Sequence, residues 1–172
     1  MIDDSLRYPI GKFTPPAAYT QEDITAWIAD IKALPMQVRN AVIGLTDLQL
    51  NTPYRPGGWT IKQVVHHMAD SHMNSLIRFK WALTEENPTI KTYHEDKWAT
   101  QPDYALPVES SLKMLEGIHQ HLVALLESFS EAEWNRTFYH PEAQIEISLK
   151  RNLGIYSWHG RHHLAHIQNT QF

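Results

Sequence analysis

Apolar residues recur every three or four positions in four long stretches of the chain, the spacing that lines one face of an α-helix. The first stretch opens at Thr20 and carries Ile24, Trp27, Ile28, Ile31 and Leu34. Pro35 is expected to end or kink it before Val38, Ala41, Val42 and Leu45 resume the pattern. The second follows the loop NTPYRPGG and begins with Thr60 and Gln63 in capping-box positions, with Asn87 and Pro88 closing it. The third, from about Pro107 to Phe129, has the cleanest stripe, including Leu112, Leu115, Ile118, Leu122 and Leu125. The last covers roughly Ser148 to Gln168.

Shorter signals lie between them. Ser130 and Glu133 form another capping-box pattern, and Phe138 to Ile147 reads as a small hairpin around His140 and Pro141. The connection from Pro88 to Leu106 is long for a bundle and carries Tyr93, His94 and Trp98, so it is expected to cover one end of the structure. The pattern as a whole predicts an all-α four-helix bundle with a small irregular or hairpin insertion before the last helix, in one domain spanning residues 1–172.

Composition narrows the function classes. With 172 residues, 42% hydrophobic and 20% charged, the chain is ordinary for a globular domain, and no apolar run approaches the roughly 18 residues of a membrane span. The first residues, MIDDSLRYPIGKF, lack the basic-then-apolar layout of a secretory signal, so a cytoplasmic protein is expected. A formal charge of −4 without a Lys/Arg cluster argues against a nucleic-acid partner. There is no cysteine, so any thiol chemistry requires a thiol from outside.

Histidine is over-represented, with 11 in the chain, and the windows His66–His72 and His159–His166 hold seven of them. On the last helix the apolar stripe centres on Leu149, Leu153, Tyr156, Gly160 and Ile167; His163 falls within it and His159 lies about 40° round on its edge. Residues four apart stack on consecutive turns, so His159 and His163 are the pair suited to share an ion, whereas His162 and His166 are expected toward the polar side. On the second helix the stripe runs through Ile61, Val65, Met68, His72, Leu76, Phe79 and Leu83, so face counting selects His72 as the partner. His67 heads a polar row with Ser71, Asn74 and Arg78, and His66 points outward. His94, His119, His121 and His140 are expected to be surface or structural.

The segments PYRPGGWTIKQVVHHMADSHMNSLIRFKWALTEE, FYHP and GIYSWHGRHHLAHI, with YPIG near the start, resemble the YfiT branch of the DinB-like proteins along nearly the whole chain. The resemblance implies a four-helix bundle forming a cytoplasmic homodimer, with a divalent metal, zinc or nickel, held by three histidines. Carried across position by position, these are His67, His159 and His163. The family thus agrees with the face count on the last helix and overrides it on the second, leaving His72 as a core or supporting histidine.

Three neutral imidazoles leave an ion its full charge and at least one position open to water or substrate, as in catalytic zinc sites. A metal-dependent hydrolase acting on a small molecule is the leading expectation. An S-transferase of a low-molecular-weight thiol such as bacillithiol, activated at the same position, is the alternative. A non-catalytic protein whose metal only staples two helices is the third, and it would call for a fourth protein ligand. Asp70, Ser71, Asn74 and Arg78 lie within reach of the His67 turn, but no general base is assigned.

Overall fold

Capping chemistry fixes where the long helices begin. Thr60 has an extended backbone and its side chain accepts a hydrogen bond from the Gln63 amide, while the Gln63 side-chain oxygen accepts one from the Thr60 amide; Thr20 and Asp23 form the same box, and Ser148 caps the last helix by accepting from the Arg151 amide. The computed structural model describes residues 4–172. Its elements are α1 (Asp4–Arg7), α2 (Gln21–Val42), α3 (Asp47–Leu50), α4 (Ile61–Thr84), α5 (Glu95–Trp98), a 3-10 turn (Pro102–Ala105), α6 (Val108–Leu126), α7 (Glu131–Trp134), β1 (Thr137–His140), β2 (Ile145–Ser148) and α8 (Leu149–Asn169). Helices α2 and α4 each pack against both α6 and α8, which gives a four-helix bundle with α2 and α4 on opposite corners.

Pro35 does not end α2, which runs through it. The missing Pro35 amide frees the carbonyl of Ile31, and the buried His119 ring takes it up through Nδ1. The helix stops at Val42, short of Leu45, where the chain turns through Gly44 at φ +83°.

The insertion before α8 is an antiparallel hairpin with Phe138 opposite Ile147, both buried. The chain leaving α4 is tied to it: the Ile90 amide donates to the Tyr139 carbonyl and the Tyr139 amide to the Pro88 carbonyl. Arg136 donates to the carbonyls of Ala82 and Glu85, satisfying the end of α4. These bonds fix the start of the long connection, whose Thr92, Tyr93, Glu95 and Asp96 then line a cleft described below.

Two apolar clusters fill the bundle. One gathers Ile31, Phe79, Leu122, Phe138, Leu153 and Tyr156; the other gathers Leu34, Val38, Val65, Met68, Leu115 and Leu164. Buried polar side chains, His72, Ser75, His119 and Asn152, also belong to the interior, and Asn152 donates to Ser75 Oγ at 3.3 Å. Helix α8 comes close to α2 because it carries glycine where they touch: a Cβ on Gly160 would lie 2.5 Å from Leu34 Cδ2, and one on Gly154 3.0 Å from the Trp27 ring.

Close approach at Gly160 predicts that Gly160→Val destabilises the fold by about 1–3 kcal/mol through overpacking. Gly117→Ala in α6, where an added Cβ meets nothing within 4 Å, should stabilise it by about 0.5–1 kcal/mol. Chemical denaturation of both variants checks the pair; equal effects would remove the packing explanation.

Candidate metal centre

Helices α4 and α8 face each other, and their facing sides carry the three histidines that the resemblance selects. His67, His159 and His163 each offer a ring nitrogen, and these nitrogens all lie within 4.8 Å of one another. The ring centroids are 4.5–5.2 Å apart. The structure therefore brings together all three, with His67 rather than His72 in the group. The face count misjudged α4 because that helix packs against α6 as well as α8, so a row beside its main stripe is also turned inward. His72 is fully buried next to the group, with Nε2 3.3 Å from His159 Nδ1 and Nδ1 2.9 Å from His119 Nε2.

The donor set suits a divalent cation. His67 Nε2 and His159 Nε2 approach to 3.2 Å, and two bare nitrogens would repel at that distance unless a proton or a cation stood between them. Imidazoles bound at about 2.0–2.1 Å to one ion at a tetrahedral angle have their nitrogens about 3.3 Å apart. Burial, reinforced by His162, pushes the His67 ring down to about 4. Burial and the neighbouring histidines hold His159 and His163 well below the ordinary histidine range. All three rings are thus neutral near pH 7, the form that binds metal. His67 Nδ1 is buried without a hydrogen-bond partner.

The triad opens onto a cleft of about 640 Å³ whose wall includes Tyr54, Trp59, Ser71, Arg78, Tyr93 and Tyr156. Ser71 Oγ lies 3.5 Å from His159 Nε2, and Arg78 Nη1 donates to Tyr156 Oη at 3.4 Å. Asp70 is directed elsewhere, accepting a 2.8 Å bond from Tyr104 Oη, and Asn74 donates to the Asp70 carbonyl. Of the four polar residues near the His67 turn, only Ser71 and Arg78 reach the cleft.

Three histidines expected toward solvent are buried instead. His66 is held by Ser111 Oγ at 2.6 Å and the Leu106 carbonyl at 3.1 Å, because α6 and the turn before it cover that side of α4. His162 and His166 lie beneath the chain's N-terminal segment: Trp158 stacks on His162 and donates to the Gly11 carbonyl, while the Arg7 carbonyl sits 3.1 Å from His166 Nε2. Tyr54 stacks on His166 at 3.9 Å between centroids. A period of 3.6 cannot show that an irregular segment far away in sequence will cover a polar face. His162, His163 and His166 also lie close enough together to suggest a metal site, but His163 and His166 contact each other through their Nδ1 atoms at 3.3 Å, so hydrogen bonding accounts for that approach.

Comparison with known proteins points the same way as the geometry. The pattern of the DinB superfamily matches residues 17–167. A Bacillus mycoides (strain KBAB4) protein is 55% identical over 166 residues, covering 96% of this chain and 95% of its own. One from Bacillus cereus (strain 03BB102) is 55% identical over 168 residues, covering 98% and 96%. Both bear names that provisionally assign a metal-dependent hydrolase. The solved structure of YfiT from Bacillus subtilis superposes with a TM-score of 0.92 at 45% identity, covering 95% of this chain and 94% of that one. YfiT too is described provisionally as a metal-dependent hydrolase, with an unusual four-helix bundle topology. With the family pattern across its bundle and such relatives along nearly its full length, the chain belongs to the DinB superfamily, in its YfiT-like branch.

Proposed function

We propose that this protein is a hydrolase of a small molecule that uses one divalent ion, zinc or nickel, held by His67, His159 and His163. The observation that carries the reading is the convergence of three neutral histidine rings from two helices, with ring nitrogens all within 4.8 Å of one another, at the edge of a large open cleft. An ion bound there supplies a Lewis acid able to bring the pKa of water toward about 7. The surrounding residues bind and orient: Ser71 offers a hydroxyl 3.5 Å from His159 Nε2, and the Arg78 guanidinium, with Tyr156, offers donors to a substrate oxygen. The names of the relatives support the same class.

A second reading is favoured by one feature. Among the described residues, the hydrogen-bond and ring contacts of the triad are with Trp59, Ser71, His72, Tyr156, His162 and His166, and none is a carboxylate. Transfer of an external thiol such as bacillithiol, ionised at the metal, needs no adjacent carboxylate base. A cytoplasmic location and a homodimer belong to the same proposal and rest on the family resemblance.

Elemental analysis of the purified protein beside His67→Ala, His159→Ala and His163→Ala should find zinc or nickel in the parent and most of it lost in each variant. Full retention in all three would sink the site. The depressed histidine pKa values give a second expectation. Three ordinary histidines would cost roughly 1,000-fold in affinity for a one-unit drop in pH below about 6.5. Here burial lowers all three, His67 to about 4 and His159 and His163 well below the ordinary histidine range, so protons compete only at lower pH and zinc affinity should fall less than about tenfold between pH 7.5 and 5.5 in a chelator competition. Finally, ester, amide and lactone substrates assayed without thiol, against an electrophile assayed with bacillithiol, cysteine and glutathione, separate the two chemistries. Turnover that requires the thiol would reject the hydrolase.

A further inference from the structure

Two chains of histidines run from backbone carbonyls to the proposed ligands, and hydrogen-bond logic fixes the tautomer of every ring along them. The first starts at Ile31, whose carbonyl lacks its helical partner because residue 35 is proline. A carbonyl only accepts, so the His119 Nδ1 atom bonded to it carries the hydrogen. Burial pushes the His119 ring down to about 4, so it is neutral and its Nε2 is bare. That nitrogen lies 2.9 Å from His72 Nδ1 and must accept from it, which leaves His72 Nε2 bare. At 3.3 Å, His72 Nε2 accepts in turn from His159 Nδ1. His159 is left with a bare Nε2, the same atom that faces His67 Nε2 at 3.2 Å.

The second chain is shorter and reaches the same result. The Arg7 carbonyl, 3.1 Å from His166 Nε2, requires the hydrogen on that nitrogen, so His166 Nδ1 is bare. It accepts from His163 Nδ1 at 3.3 Å, leaving His163 Nε2 as the lone-pair atom.

We propose that His72 and His119, and separately His166, are positioning residues that lock the tautomers of His159 and His163, so that both ligands present Nε2 lone pairs before any ion arrives. The inference rests on the three-histidine reading of the centre. Metal-binding histidines commonly donate their second N–H to a carboxylate, carbonyl or water. Here the immediate acceptors are neutral imidazoles, which orient the ligands without offsetting the charge of the ion. The proline within α2 acquires a role too, since it leaves open the carbonyl on which the longer chain is anchored.

Long-range proton–nitrogen NMR of the metal-free, nitrogen-15-labelled protein tests the lock without metal or activity. The expected spectrum has His72, His119, His159 and His163 as Nδ1–H tautomers and His166 as Nε2–H. A dominant Nε2–H form of His159 or His119 would overturn the proposal. In parallel, His119→Leu should shift His159 toward the other tautomer and weaken zinc binding roughly 10- to 100-fold. His119→Gln, whose side chain can both donate to Ile31 and accept from His72, should recover most of the affinity. Parent-like affinity and tautomer in a folded His119→Leu would refute the lock. If the parent protein binds neither zinc nor nickel, the centre itself falls, while the spectrum of the unliganded protein still judges the lock.

Discussion

A neutral imidazole taken out of water has one nitrogen that must give a hydrogen and one that must receive one, and the interior of this bundle is arranged around that requirement. His66, His67, His72, His119, His162, His163 and His166 are all buried. Burial leads the causes of the lowered pKa in each of these rings. A protonated ring there would lose its hydration and face its neighbours' charge. The rings stay neutral, and their hydrogens must find acceptors among carbonyls, hydroxyls and other rings.

That requirement connects features that would otherwise look separate. Pro35 costs α2 a backbone bond, yet the freed carbonyl anchors a ring of α6. That ring meets His72 of α4, which meets His159 of α8, so one chain of bonds joins all four long helices. Glycines at 154 and 160 let α8 settle close against α2. Apolar clusters supply most of the driving force for packing, but they are indifferent to rotation of a ring by 180°. The hydrogen bonds are not, and they select which nitrogen faces the cleft.

The outcome is an open centre with strong directional preference and uncharged rings facing the cleft. Its three rings are neutral, the groups orienting two of them are neutral, and the cleft wall adds hydroxyls, guanidinium donors and the carboxylates of Glu95, Asp96 and Glu142. An electrophilic ion would keep its charge in such surroundings. Either of the proposed chemistries, hydrolysis or thiol transfer, would draw on that property.

Much of the architecture was legible in the chain by itself. Caps at Thr20, Thr60, Ser130 and Ser148, the 3.6-residue stripes and the residues around His140 and Pro141 are local signals, and the helices and hairpin follow them because they depend on neighbours a few positions away. The pairing of His159 with His163 is local in the same sense, being one turn of one helix. His67 required the family pattern, since a helix touching two partners has more than one inward face. The burial of His66, His162 and His166, and the link from Pro35 through His119 and His72 to His159, depend on segments 40 to 160 positions apart in sequence. No periodicity encodes such contacts; only the packed tertiary structure decides them, because a buried hydrogen bond exists only when both partners are brought together and water is excluded.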